Sequence, residues 1–258
     1  MKILAIDSSG MPASAAIVED DLLVAEYTVN YKKTHSQTLL PMIDEICRMT
    51  GLDKSTLDAV AVAGGPGSFT GLRIGSATAK GIGLALGLPL VNVPTLEGLA
   101  SNFHGSDALI CPMLDARRSE VFAGIYTYEK TEEEQGVKPV LRVLMDQTPV
   151  AADRLSWKLN ELADQTGKMV VLLGDGASVC RPVLEDNLKA DHIYAPASLN
   201  GQRASSVAVR AEEMIAEGRV ETAASHRPIY LRVSQAERVR QEKLKAEKTA
   251  EGGESASV

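Results

Sequence analysis

A short apolar strand that ends in aspartate occurs twice in this chain, as KILAID closing at Asp7 and ALICPMLD closing at Asp115, and each copy opens the same succession of elements. After the first, the pattern predicts strands over 2–6, 14–19 and 22–31 joined by polar turns, then a helix over 36–49 stopped by Gly51. A strand over 59–63, a helix over 68–86 stopped by Gly87, a strand over 88–93 and a helix over 96–103 follow. After the second come strands over 108–114 and 120–126, a charged loop holding Glu129 and the glutamates at 132–134, and a strand over 140–145. A helix over 153–166, a strand over 169–173, a helix over 177–188, a short strand near Ile193 and a helix over 203–217 complete the copy. The fourth strand of each copy runs into glycine, Gly64-Gly65 and Gly174-Asp175-Gly176.

Three strands, helix, strand, helix, strand, helix places hairpin-linked antiparallel strands and parallel crossovers in one sheet, which is the ribonuclease-H-like order. Two tandem copies make an α/β protein with two mixed sheets about a cleft, the arrangement of actin, sugar kinases and the heat-shock ATPases. The expected division is 1–104 for the first half and 105–233 for the second. Residues 234–258, charged and then GGESASV, form an expected disordered tail. A length of 258 residues suits two cores of about 100 to 120 residues each.

Composition narrows the function. No apolar run approaches the roughly 20 residues of a membrane span, and the N-terminal strand is too short for a secretory signal, so a cytoplasmic protein is expected. Cys47, Cys111 and Cys180 are scattered and odd in number, which supports neither a disulfide framework nor a zinc site, and they read as small buried residues. A net charge of -7 offers no general attraction to RNA, so any contact with a nucleic acid is expected to be indirect, with Arg117 and Arg118 the residues to watch. His35, His104, His192 and His226 have no metal-ligand spacing and read as surface or capping residues; no nucleophile elbow follows a strand. No catalytic or metal-ligating residue is therefore assigned.

Two loops could face an anion. Asp7, Ser8 and Ser9 with Gly10 sit where an actin-like ATPase has its first phosphate loop, although such a sequence also makes an ordinary turn. Asp115 occupies the matching place in the second half, but Ala116, Arg117 and Arg118 follow it where glycines would let backbone N–H groups approach a phosphate. GGPGSFTGLRIG joins a strand to a helix, so Gly67, Ser68, Thr70 and Arg73 could meet an anion at the helix N-terminus, with Ser68 or Thr70 as cap. The competing reading is sharp turning and close packing.

That packing reading has a definite form. Gly71, Gly75, Ala79 and Gly83 recur every four residues and line one ridge that a second helix could approach closely. The preceding helix carries two apolar stripes, Leu39, Met42, Ile46, Met49 and Leu40, Ile43, Cys47, where a one-sided helix needs one. Leu39, Leu40, Ile43, Ile46 and Cys47 with the small-residue ridge are the candidate partner face; packing of the second stripe within the chain is the alternative. Ser36 is the expected cap of that helix, with Pro41 near its first turn.

ILAIDSS, HSQTLLPMI, GGPGSFTGLRIG, PTLEGLAS, LDARRSEVFAGIY, LLGDGA and PIYLR together resemble the TsaB (YeaZ) family, over nearly the whole chain to about Arg232. The resemblance implies a non-catalytic scaffold subunit of the bacterial complex that transfers a threonylcarbamoyl group to the adenosine next to the anticodon of tRNAs reading codons that begin with A. It implies direct pairing with the catalytic paralogue TsaD, a ternary complex with the ATPase TsaE, and a homodimer, through helices of the N-terminal half. It also implies that the metal belongs to TsaD, whose two histidine ligands fall at Thr95 and Leu99 here. No cofactor is expected on this chain alone, and a nucleotide would lie at the junction of the complex. An actin-fold small-molecule kinase and a metal-dependent hydrolase are the alternatives.

Overall fold

The computed structural model describes residues 1–31, 34–117, 120–133 and 136–232, so the expected tail and Arg118 lie outside the described residues. The first sheet holds β1 (Lys2–Asp7), β2 (Ala13–Glu19), β3 (Leu22–Val29), β4 (Ala59–Gly65) and β5 (Leu90–Pro94), in the order β3-β2-β1-β4-β5. The second holds β6 (Leu109–Asp115), β7 (Glu120–Glu133), β8 (Gly136–Ala151), β9 (Val170–Leu173) and β10 (His192–Tyr194), in the order β8-β7-β6-β9-β10. The orders match strand for strand. β1 runs antiparallel to β2 and parallel to β4, as β6 does to β7 and β9.

Helices fall at the same places in both copies: α1 (His35–Thr50), α2 (Phe69–Leu86), α3 (Thr95–Ala100), α4 (Ala152–Thr166), α5 (Asp175–Asn187) and α6 (Ala204–Ala216). Local chemistry explains the best-defined ends. Ser68 Oγ accepts the Gly71 N–H at 3.3 Å and caps α2. Gly51 and Gly87 take left-handed conformations, φ 64° and 67°, and stop α1 and α2 where a side chain would be strained. Ser36 is not the cap expected of it. α1 starts one residue earlier, after Thr34, which makes no side-chain cap bond, and Pro41 consequently lies in the second turn.

The expected charged loop of the second half is a hairpin instead. β7 and β8 stay paired from Glu120↔Ala151 to Glu133↔Gly136, and Arg142 Nε donates to Glu129 at 2.7 Å across the pair. Threonine, tyrosine and valine interleave these charges, so the ladder forms while the charges stay in water.

Each sheet is covered on one side by its own first two helices: α1 and α2 residues join Leu4, Ile6 and Val62, while α4 and α5 residues join Leu109, Met113 and Leu172. The third helices are exchanged. α6, expected in the second half, buries Val207, Ala208, Ala211 and Met214 against Ile3, Ala5, Ala61 and Val91 of the first sheet. α3 buries Leu96, Leu99 and Ala100 with Ile110, Leu114 and Tyr126 of the second. A side chain such as Val207 or Met214 contributes roughly 1.5 to 3 kcal/mol by leaving water. The division at 104/105 is therefore crossed in both directions, because each sheet must cover a second apolar face and the other copy's third helix covers it.

The exchange is pinned by charge. Buried Arg210 of α6 donates to Glu97 of α3 at 2.7 Å and to Glu213 at 2.7 Å. Downstream, the Ile229 N–H donates to Gly64 O at 2.7 Å, and Arg232 donates to Ala116 O at 2.8 Å and pairs with Glu120. Residues 229–232 thus strap the two halves together.

Candidate functional site

The carboxyl ends of β1 and β6 face one another across a cleft of about 500 Å³, the end of parallel strands where α/β proteins place ligands. Ser9, Gly67, Ser68 and Asp115 all line it, so four of the eight anion-loop candidates meet in one place. Asp7 lies beneath them, buried, accepting from Ser9 N–H at 2.8 Å and Ser9 Oγ at 2.6 Å. Burial pushes its carboxyl up to about 6 against the pull of those hydrogen bonds. Ser8 turns away and donates through Oγ to Gly71 O at 2.9 Å. Thr70 is exposed on the first turn of α2, and Arg73 lies over the Phe69 ring at 3.9 Å and donates to Tyr230 Oη at 3.2 Å. Ser8, Thr70 and Arg73 are thus absent from the cleft lining.

Several residues that sequence reasoning did not assign to the cleft also line it, Gln202, His35 and Asp175 among them. Gln202, buried in the loop before α6, has no sequence signal at all. His35 holds Gly10 O through Nε2 at 2.9 Å. Asp175 stood out in the sequence only as part of the Gly174-Asp175-Gly176 run. It accepts the Asp115 N–H at 3.1 Å, and burial raises its carboxyl, joined by the nearby Asp115 charge.

The phosphate cradle of an actin-like ATPase does not fit these loops. Arg117 N–H donates to Asp115 Oδ1 at 2.7 Å and Ala116 N–H to Glu120 O at 3.1 Å, so the donors that would hold a phosphate close a turn instead. In the first loop the Ser9 N–H is similarly tied, donating to Asp7 Oδ1 at 2.8 Å, and the Ser68 N–H donates to Ser9 O at 2.6 Å. Among the described residues no group of three or more His, Cys, Asp or Glu side chains is placed to hold a metal ion. At the positions matched to the metal-binding histidines, Thr95 Oγ1 accepts the Gly65 N–H at 3.0 Å and Leu99 packs in the second-sheet core. His226, expected at the surface, is buried with Nδ1 2.5 Å from Glu221, because its segment folds back on α2, where Lys80 donates to His226 O.

The helical face is also rearranged from expectation. Gly71, Gly75, Ala79 and Gly83 are buried within the chain: a β-carbon at Gly71 would lie 2.1 Å from Ser8 O, at Gly75 2.4 Å from Ser8 Oγ, and at Gly83 2.3 Å from Leu90. The ridge lets α2 approach its own sheet. Leu39, Ile43, Ile46 and Cys47 likewise lie in the first-sheet core, which leaves Leu40, 56% exposed, as the outward member of the proposed set. Leu40 opens on an apolar groove of about 280 Å³ between α1 and α2, lined also by Ile43, Cys47, Leu57, Ile82 and Leu86.

Comparison with known proteins places the chain. The family model for TsaD, tRNA N6-adenosine threonylcarbamoyltransferase, matches residues 23–239. The tRNA threonylcarbamoyladenosine biosynthesis protein TsaB of Bacillus subtilis is 34% identical, covering 92% of this chain and 96% of that protein. The protein of the same name in Escherichia coli is 29% identical over 90% of this chain and 95% of its own length. The structure of YeaZ from Pseudomonas aeruginosa superposes with a TM-score of 0.69 at 24% identity, covering 89% of this chain and 99% of that one. With its two halves of matching strand order, the chain belongs to the TsaB (YeaZ) family of tRNA threonylcarbamoyladenosine biosynthesis proteins.

Proposed function

We propose that this chain is a non-catalytic subunit of the threonylcarbamoyl transfer complex, docking by the exposed face of α1 and α2 onto TsaD and, through TsaD, joining TsaE. The observation that carries the reading is the groove between α1 and α2: an open apolar channel with Leu40 at its rim. An apolar groove beside an exposed leucine is the shape into which a partner helix lays its own apolar ridge. The same groove would serve a homodimer, so the two assemblies compete for one surface. Thr95 and Leu99 support the absence of chemistry, since neither offers a nitrogen to a metal and each is committed to structure. In this reading the metal is TsaD's, a nucleotide is handled at the junction or by TsaE, tRNA is met through the complex, and the complex works in the cytoplasm.

The test is threonylcarbamoyl transfer to tRNA with purified TsaD, TsaE, threonylcarbamoyl-adenylate and ATP. Transfer is expected only when this chain and TsaD are both present. Transfer by this chain alone, or full transfer without it, would end the proposal. Leu40→Asp should abolish co-elution with TsaD while leaving the thermal midpoint of the isolated chain nearly unchanged, since exposed substitutions usually stay within about 0.5 kcal/mol.

A further inference from the structure

We propose that Arg73, with Phe69 and Tyr230, is a second anchor of the docking face, receiving from TsaD a carboxylate side chain whose apolar neighbour fills the cavity beside the two rings. The inference rests on the docking reading above and adds to it the chemistry that the partner brings to the first turns of α2.

Arg73 is the observation that points to an anion. It is exposed, yet its guanidinium lies 3.9 Å over the Phe69 ring, its Nε donates to Tyr230 Oη at 3.2 Å, and the two rings stand 5.0 Å apart. A long side chain usually loses rotamer freedom when it meets a partner; one already held between a ring and a hydroxyl has less left to lose. Among the described residues Arg73 pairs with no carboxylate, although acidic residues outnumber basic ones 34 to 27 and Arg48, Arg142, Arg181 and Arg203 each hold one. Its terminal amines are therefore a positioned planar fork, the geometry that takes a carboxylate in two parallel hydrogen bonds.

The cavity supplies the apolar half of the anchor. Phe69 and Tyr230, 36% and 42% exposed, wall a space of about 150 Å³ together with Pro66, Leu72, Phe122 and Leu231. Small-molecule sites begin at roughly 300 Å³, whereas about 150 Å³ accepts one benzene-sized group, so a single apolar side chain fits. Aromatic rings and arginine are also the residue types that dominate binding energy at protein interfaces. Rings beside an arginine can stack RNA bases as well. Protein is the better occupant, because the Arg73 guanidinium already covers the Phe69 face on which a base would stack, and a net charge of -7 repels a polyanion. Ile82 of the α1/α2 groove lies about 14 Å further along the same helix, so one partner surface reaches both.

The test is the calorimetric affinity of purified TsaD for the full chain, at low and at high salt, with the parent, Arg73→Glu and Leu40→Asp, and with tRNA binding to the assembled pair as a separate arm. Arg73→Glu should keep the parent's thermal midpoint and weaken TsaD binding at least tenfold, and it should flatten the fall of affinity with salt that the parent shows. If Arg73→Glu misfolds, Arg73→Gln, which keeps a donor for Tyr230, decides by the same tenfold loss. Parent-like TsaD affinity in the folded Arg73 variant, with binding lost in Leu40→Asp, overturns this inference and leaves the docking reading standing. Parent-like affinity in both variants overturns both. An Arg73 variant that binds TsaD as the parent does but weakens tRNA binding assigns the arginine to RNA and likewise overturns the proposal.

Discussion

At the scale of single residues, burial decides what a side chain does. Asp7 ends β1 as its sequence pattern indicates, and its buried carboxylate closes a turn by accepting from the Ser9 N–H and hydroxyl. Its carboxyl stands at about 6 in the folded chain against an ordinary 3.8, so the native state holds an extra proton between those values. Stability from this group is present below about 4 and is lost as pH rises through about 6. Asp7→Asn removes that loss: relative to the parent, the variant should gain on the order of 2 to 3 kcal/mol between pH 4 and pH 7.5, read from urea unfolding. A pH-independent difference would show that Asp7 is not the group responsible. Strand-end aspartates are visible in a sequence because of periodicity; Gln202 is not, because nothing local marks a glutamine that tertiary packing brings to a cleft 195 residues from Asp7.

At the scale of elements, helix α2 shows what periodicity can and cannot reveal. The four-residue spacing of Gly71, Gly75, Ala79 and Gly83 announces a close approach, and a close approach occurs. The spacing is silent about the partner, which is the chain's own loop after β1 and its own β5. A β-carbon at Gly71 would meet backbone, whereas Gly81 on the opposite side faces open space. Gly71→Ala should therefore cost about 1 to 3 kcal/mol by overpacking. Gly81→Ala should stabilise by roughly 0.5 to 1 kcal/mol through helix propensity and a less disordered unfolded chain. Chemical denaturation of the two variants checks both signs, and equal effects would mean that α2 does not sit on its sheet as described. On α1 both apolar stripes were legible, but the sheet takes most of each and leaves Leu40 and Met49 outside, because a helix lying in a groove between strands and a neighbouring helix is covered over more than one face.

At the scale of the whole molecule, the halves are not separable units. α3 and α6 exchange sheets, Arg210 binds Glu97 across that exchange, and residues 229–232 bridge β4 to the β6–β7 turn. Unfolding should be a single transition, with calorimetric and van't Hoff enthalpies equal, and Arg210→Ala should cost about 3 to 5 kcal/mol by leaving Glu97 and Glu213 buried without their cation. Two resolved transitions would contradict the interlock. The repeated order of strands, helices and terminal glycines is written in the sequence, since side-chain period and backbone stops act over a few residues and need no knowledge of neighbours. Its family membership was readable for the same reason, from short motifs kept at turns. Which helix covers which sheet, which apolar stripe faces water, and whether loop N–H groups are free for a ligand were decided only in three dimensions, because burial and hydrogen bonding depend on segments as far apart as Glu97 and Arg210.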